Sequence, residues 1–147
     1  MKRTSRRMGL CIAMILAILV FIWGNSLMPA QVSLTFSNWV ADLLHIEPSA
    51  ETTVLTGRGI LRKVAHFLEF AALGFSLGCL FGMLRKGVLL PFLCGAAAAC
   101  IDETIQLFVP NRGPGLADVL LDSCGVAAGI ALLYFGYTCI QKRSTKQ

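Results

Sequence analysis

The stretch that decides the fold is MGLCIAMILAILVFIWGNSL, which occupies residues 8–27. It contains no charged side chain, and the absence of charge continues until Asp42. A helix needs about 20 consecutive, mostly apolar residues to cross the roughly 30 Å hydrocarbon core of a bilayer. Met28-Pro29-Ala30 is a poor signal-peptidase site, so we expect a retained anchor and not a cleaved leader. The sequence therefore predicts a first transmembrane helix over about residues 8–27.

Three further charge-poor stretches follow, separated by residues that break helices. The last lies between Asp122 and Lys142 and is long enough by itself to span a bilayer. The two middle stretches reach that length only if each includes a few ionisable residues at one end. The connecting turns are Arg85-Lys86-Gly87 and the Pro-Asn-Arg-Gly-Pro segment at 110–114. The predicted fold is all-α, a polytopic membrane protein with four transmembrane helices at about residues 8–27, 64–84, 88–109 and 115–139.

The composition supports the same conclusion. Of the 147 residues, 56% are hydrophobic and 14% are charged, whereas soluble domains average roughly 25% charged residues. So few polar groups could not cover the surface of a small soluble domain. The length fits a single membrane domain over residues 1–147. These features argue against a soluble enzyme, a disordered chain and a nucleic-acid-binding module, although the net charge is +5.

The lysines and arginines predict the orientation of the bundle. Cytoplasmic segments of membrane proteins are enriched in these residues. Nine of the 13 fall in the two tails and in the turn between the second and third spans, which four spans place on one side: Lys2, Arg3, Arg6, Arg7, Arg85, Lys86, Lys142, Arg143 and Lys146. Both termini are therefore expected in the cytoplasm. The other four bases and every acid are expected toward the outside, the bases being Arg58, Arg62, Lys63 and Arg112.

The external loop at residues 28–63 has a helical pattern of its own. Its apolar residues recur at helical spacing around an N-cap candidate at Ser37: Phe36, Trp39, Val40, Leu43 and Leu44. We expect a short amphipathic helix there. It either lies on the outer leaflet with Trp39 at the level of the headgroups or packs on the bundle as a lid.

The six cysteines do not predict a disulfide or metal framework. All of them fall within predicted spans, and no Cys-x-x-Cys occurs. In such positions cysteine behaves as a small apolar residue.

Polar and ionisable side chains inside the predicted spans mark the candidate site. Such residues are costly in a bilayer and suggest function by default. They form stripes at helical spacing near the outward ends of three spans, and the turn that joins the last two spans adds one more. The predicted pocket residues are Lys63, His66, Glu69, Asp102, Glu103, Gln106, Arg112, Asp118 and Asp122.

A purely structural role for these acids is the alternative. Acids near helix N-termini stabilise the helix dipole, and acids paired with bases hold bundles together. That account fits Glu69 or Asp118 alone. It fits the group less well, because Asp102 and Glu103 lie near a predicted helix C-terminus, where the dipole disfavours anions. A shared, outward-facing polar pocket explains the whole set better.

Small residues predict how the spans pack. Gly74 and Gly78 lie four residues apart on the second span, and Gly125 and Gly129 do so on the fourth. Pairs of this kind allow helix backbones to approach closely in membranes.

Two motifs resemble those of the VanZ-like family. RKVAHFLEFAALG at residues 62–74 resembles its Lys-x-x-His-x-x-Glu-Tyr motif, with Phe70 in place of the usual Tyr. The segment from Asp102 to Val119, with its Asp-Glu-x-x-Gln start, resembles the second motif, which is followed by Asp122 in place of the usual Asn. Trp23-Gly24-Asn25-Ser26-Leu27 is similar to the exit of the family's first span. The resemblance covers about residues 10–130.

The resemblance implies a small multi-pass protein of the bacterial cytoplasmic membrane that is associated with resistance to the glycopeptide teicoplanin. The expected partners are membrane lipids and a cell-wall lipid precursor, whose polar or phosphate-bearing headgroup the pocket would bind. No cofactor is expected for that role. The alternative is an intramembrane hydrolase or phosphatase in which Asp102, Glu103, Asp118, Asp122 and His66 bind a divalent cation. Transport is disfavoured, because the inner half of the predicted bundle is apolar.

Overall fold

The computed structural model describes residues 2–28, 35, 39, 43, 57–110 and 115–144. Four helices make up the described chain: α1 (Lys2–Leu27), α2 (Gly57–Met83), α3 (Leu89–Leu107) and α4 (Leu116–Ser144). No strand occurs among these residues. Each helix contains a segment long and apolar enough to cross a membrane: Thr4–Leu27, Arg62–Met83, Leu89–Leu107 and Leu116–Cys139. The predicted all-α fold with four membrane-spanning helices is confirmed.

Three expectations about the fold lie beyond what the described residues test. The amphipathic helix predicted after Ser37 falls on a loop of which only residues 35, 39 and 43 are described. The cytoplasmic location of both termini stays a prediction from the charge distribution, as does the assignment of residues 1–147 to one domain.

The helices α2 and α4 form the tightest contact in the bundle. A Cβ atom added to Gly74 of α2 would collide with the carbonyl oxygen of Val126, and one added to Gly129 of α4 would collide with that of Ala71. The two backbones therefore touch without intervening side chains, as the glycine pairs predict. This contact sets the position of α2 relative to α4 along the bundle.

The interior of the bundle is apolar between its two ends. Ile22, Phe70, Leu73 and Val126 are almost completely buried and come from α1, α2 and α4. Phe70, which replaces the Tyr of the motif, packs in this core, where a phenol hydroxyl would need a buried partner. The outer faces of the helices carry exposed apolar side chains such as those at positions 10, 20 and 135. A continuous apolar surface of this kind suits contact with lipid.

The turn between α2 and α3 is tight. The N–H of Lys86 donates to the carbonyl of Phe81 at 3.0 Å, and that of Arg85 donates to the carbonyl of Gly82 at 3.1 Å. Arg85 has a φ of 54°, the left-handed conformation that commonly ends a helix. The turn places Arg85 and Lys86 at one end of the bundle, opposite the polar side chains described next.

Candidate functional site

Polar and ionisable side chains gather at one end of the bundle, where α1 and α3 end and α2 and α4 begin. We call this group the polar cluster, and it comprises Asn25, Ser26, Arg62, Lys63, His66, Glu69, Asp102, Glu103, Gln106, Asp118 and Asp122. Five of its members are buried: Ser26, Asp102, Glu103, Gln106 and Asp122. One further buried polar residue among those described, Ser76, satisfies its hydroxyl locally by donating to the carbonyl of Ala72 at 2.8 Å. The cluster is therefore concentrated at this end and not spread through the core.

Gln106 connects three helices within the cluster. Its Nε2 donates to Asp102 Oδ2 at 2.8 Å and to Ser26 Oγ at 3.4 Å. Its Oε1 accepts from Nη2 of Arg62 at 3.4 Å. The amide thus fixes one oxygen of Asp102 and ties α3 to the ends of α1 and α2.

His66 and Glu69 form a second connected set. Nδ1 of His66 lies 3.6 Å from Oε2 of Glu69, and the other oxygen of Glu69 accepts from Nδ2 of Asn25 at 3.2 Å. Asn25 therefore holds the carboxylate, and the carboxylate lies beside the imidazole. At 3.6 Å this contact is longer than a hydrogen bond, so it places the carboxylate and the imidazole side by side without fixing the ring by hydrogen bonding.

Two of the predicted acids have evident structural partners. The N–H of Gly115, just before α4, donates to Oε2 of Glu103 at 3.0 Å. Lys63 Nζ lies 3.3 Å from Oδ1 of Asp118, and the two side chains are 52% and 30% exposed. The structural role that the sequence left open for Asp118 is thus consistent with its contact, and Glu103, for which the sequence disfavoured such a role, also has a structural partner.

The centre of the cluster is formed by His66, Asp102 and Asp122. One potential ligand atom from each lies within 4.8 Å of the other two. Asp102 is fully buried, and Asp122 is nearly so. Oδ1 of Asp102 has no hydrogen-bond partner among the described residues, although Oδ2 of the same group accepts from Gln106. A buried carboxylate oxygen without a hydrogen-bond donor is energetically costly, so this centre favours a bound cation or hydrogen-bond donor.

A small cavity adjoins this centre. Its volume is about 20 Å³, which is room for one water molecule or one ion and not for a phosphate group. It is lined by Arg62, Lys63, His66, Glu103, Gln106, Asp118, Leu121 and Asp122. Carboxylates outnumber cations in the described part of the cluster, which favours a cationic guest in the cavity.

The structure brings together eight of the nine residues predicted for the pocket. Arg112 lies outside the described residues, and its place at the site stays a prediction. Asn25 and Ser26 were missed, although both contact predicted site residues. The signal that could have found them is the polar pair at the end of an otherwise apolar first span.

A larger cavity lies at the opposite end of the bundle. It has a volume of about 1030 Å³, and Arg7, Arg85 and Lys86 are among its lining residues, with Tyr134 and Tyr137 of α4. None of the predicted pocket residues lines it. The candidate site is therefore the small cavity and its surroundings.

Comparison with known sequences connects the chain to one family. The sequence model of the family described as VanZ/LLP1 matches residues 11–137. That range includes α2 and α3, most of α1 and α4, and every residue of the polar cluster. No curated protein and no solved structure is significantly similar to the chain.

Proposed function

Because the chain belongs to the VanZ/LLP1 family and is a multi-pass membrane protein, we propose that it binds a phosphate-bearing lipid or lipid-linked precursor of the bacterial cell envelope. The binding site is the polar cluster. By binding such a precursor, the protein modulates susceptibility to teicoplanin. The proposed location is the bacterial cytoplasmic membrane, with the polar cluster toward the outer leaflet.

The observation that carries the proposal is the placement of Lys63. Lys63 lines the small cavity, yet about half of its side chain is exposed, and its partner Asp118 is also partly exposed. Exposed ion pairs contribute only about 0–1 kcal/mol. Lys63 can therefore exchange Asp118 for a phosphate with little loss, and a phosphate bonded to a charged donor gains more than such a pair.

The cavity volume limits where a headgroup can bind. A phosphate group does not fit in about 20 Å³, so the phosphate lies outside the cavity, against Lys63 and Arg62. The lipid tail then follows the exposed apolar faces of the helices into the bilayer. The buried centre beneath serves to hold and orient the polar groups that contact the headgroup.

Replacing Lys63 with alanine tests this arrangement. We expect the affinity of the purified, detergent-solubilised protein for farnesyl diphosphate to fall by roughly 10- to 100-fold, because a charge-assisted hydrogen bond contributes about 1.5–3 kcal/mol. Lys63→Arg should retain most of the affinity. The matched control is Lys86→Ala at the opposite end of the bundle, which should bind as the wild type does. Equal binding by all these variants, or equal affinity for farnesol, would contradict the proposal.

Hydrolysis is a second candidate function, which the contact between His66 and Glu69 supports. A histidine beside an orienting carboxylate is an arrangement suited to general base catalysis. In that case water attacks a phosphorus atom of a lipid diphosphate, the P–O bond of the anhydride breaks, and inorganic phosphate and a lipid monophosphate are released. Release of phosphate from farnesyl diphosphate by the wild type and its loss in His66→Ala would support this function. Binding of farnesyl diphosphate without release of phosphate would support the binding function and contradict hydrolysis.

A further inference from the structure

The centre of the polar cluster has the composition and the size of a metal site. We propose that His66, Asp102 and Asp122 together bind a single divalent transition-metal cation, Mn²⁺ or Zn²⁺. This inference rests on the proposed function only for the location of the site. The cation-binding set is narrower than the one expected from the sequence, which also contained Glu103 and Asp118.

The choice of these three residues follows from their contacts. Glu103 accepts from the backbone at Gly115, and Asp118 pairs with Lys63 near the surface. His66, Asp102 and Asp122 instead direct potential ligand atoms to one place, within 4.8 Å of one another. Three ligands about 2.1 Å from a shared ion lie roughly 3.4 Å apart in tetrahedral geometry. If each side chain rotates so that its ligand atom moves by about 1 Å, the three atoms reach the distance that a shared ion requires.

A second observation points to a ligand independently of this clustering. Asp102 is completely buried, and its Oδ1 lacks a hydrogen-bond partner among the described residues. An uncompensated carboxylate oxygen in this position is strongly unfavourable. A bound cation satisfies it directly, and the adjoining cavity of about 20 Å³ has room for one ion or one water molecule.

The surroundings also have the arrangement of a second coordination shell. Metal-binding histidines usually donate their other ring N–H to a carboxylate, which fixes the ring. Glu69 lies 3.6 Å from Nδ1 of His66 and is itself held by Asn25. Gln106 holds Asp102 by donating to Oδ2, while Oδ1 of the same group has no hydrogen-bond partner among the described residues. Each of these two proposed ligands thus has a polar neighbour that limits its rotation.

The identity of the ion follows from the ligand types. Carboxylates favour Mg²⁺, Ca²⁺ and Mn²⁺, whereas imidazole favours Zn²⁺ and other transition metals. One imidazole with two carboxylates suits Mn²⁺ or Zn²⁺. Three protein ligands leave a coordination position for water or for an oxygen of a phosphate placed against Lys63, as open metal sites do.

Metal binding by the purified full-length protein in detergent tests the inference. After removal of metal with EDTA, we expect the wild type to bind one equivalent of Mn²⁺, measured by electron paramagnetic resonance. Added Zn²⁺ should displace the bound Mn²⁺. His66→Ala should weaken binding by at least 100-fold. Asp122→Asn removes one charge but restores the residue that the related motif usually carries, so it should fold and bind at least tenfold more weakly. His45→Ala and Asp42→Asn are the matched controls and should bind as the wild type does.

Thermal unfolding gives a readout that does not depend on activity. Mn²⁺ should raise the Tm of the wild type and of both control variants, and it should raise that of His66→Ala much less, since only a ligand that binds the folded state stabilises it. Absence of stoichiometric binding of either ion to the wild type would overturn the inference, as would equal binding by His66→Ala. Such a failure leaves the Lys63 experiment intact, because farnesyl diphosphate binding is measured separately.

Discussion

Asp102→Asn is expected to remove teicoplanin protection completely. The test uses a bacterial host in which the wild-type protein raises the minimal inhibitory concentration of teicoplanin. The substitution changes the charge and almost nothing else. The amide oxygen of asparagine can still accept from Gln106 Nε2, as Oδ2 of Asp102 does at 2.8 Å. The amide nitrogen then takes the place of Oδ1, which has no hydrogen-bond partner among the described residues. The polar cluster keeps its shape but loses the anion at its centre.

The result is informative only if the variant reaches the membrane. Membrane abundance, measured by immunoblotting of the membrane fraction, should equal that of the wild type, because an amide is cheaper to bury than a carboxylate. Asp42→Asn is the matched control and should protect fully. Full protection by Asp102→Asn at equal abundance would exclude the buried centre of the cluster from function.

Gly129→Ala is expected to have the largest effect on stability. Its added methyl group would collide with the carbonyl oxygen of Ala71. Backbone atoms cannot rotate away as a side chain can, so α2 and α4 must separate. Overpacking typically costs about 1–3 kcal/mol, and a collision between two helix backbones belongs at the upper end of that range. The free energy of unfolding should therefore fall by about 3 kcal/mol.

Unfolding by SDS in mixed micelles, followed by circular dichroism, provides the measurement. Gly136→Ala is the matched control on the same helix, because nothing lies within 4 Å of the position of its added methyl group. Alanine has a higher helix propensity than glycine, so this control should be as stable as the wild type or slightly more stable. Equal midpoints for the two variants would show that α2 and α4 are not in backbone contact.

The sequence predicts the number of helices and one of their packing contacts well. The charge-free stretches locate all four spans, because the cost of burying charge in lipid leaves a pattern in the order of residues. Helix ends are predicted less well. α1 begins at Lys2 and α2 at Gly57, several residues before the predicted spans, because a helix can continue into water after its apolar segment ends. The glycine pairs predict the α2–α4 contact because they act through shape alone.

The arrangement of the candidate site is less accessible to sequence reasoning. Helical spacing puts His66 and Glu69 on one stripe, yet it does not show that Asn25 of α1 completes their contact. It also does not separate Asp118, which pairs with Lys63, from Asp122, which lies beside His66 and Asp102. Those distinctions depend on the rotation of each helix about its own axis and on side-chain rotamers. Neither is encoded in the spacing of residues within one helix.

The distribution of the polar cluster over all four helices has a consequence for insertion of the protein into the membrane during synthesis. The chain enters the membrane from its N-terminus, so Glu69 and Asp102 arrive before Asp122 and the remainder of α4 exist in the bilayer. Isolated ionisable residues in lipid are unfavourable until a partner helix covers them. Insertion of the last helix therefore completes the shelter for charges that are already in place. A chain interrupted before α4 would expose those charges to lipid, and membrane quality control can recognise such a fragment as unfinished.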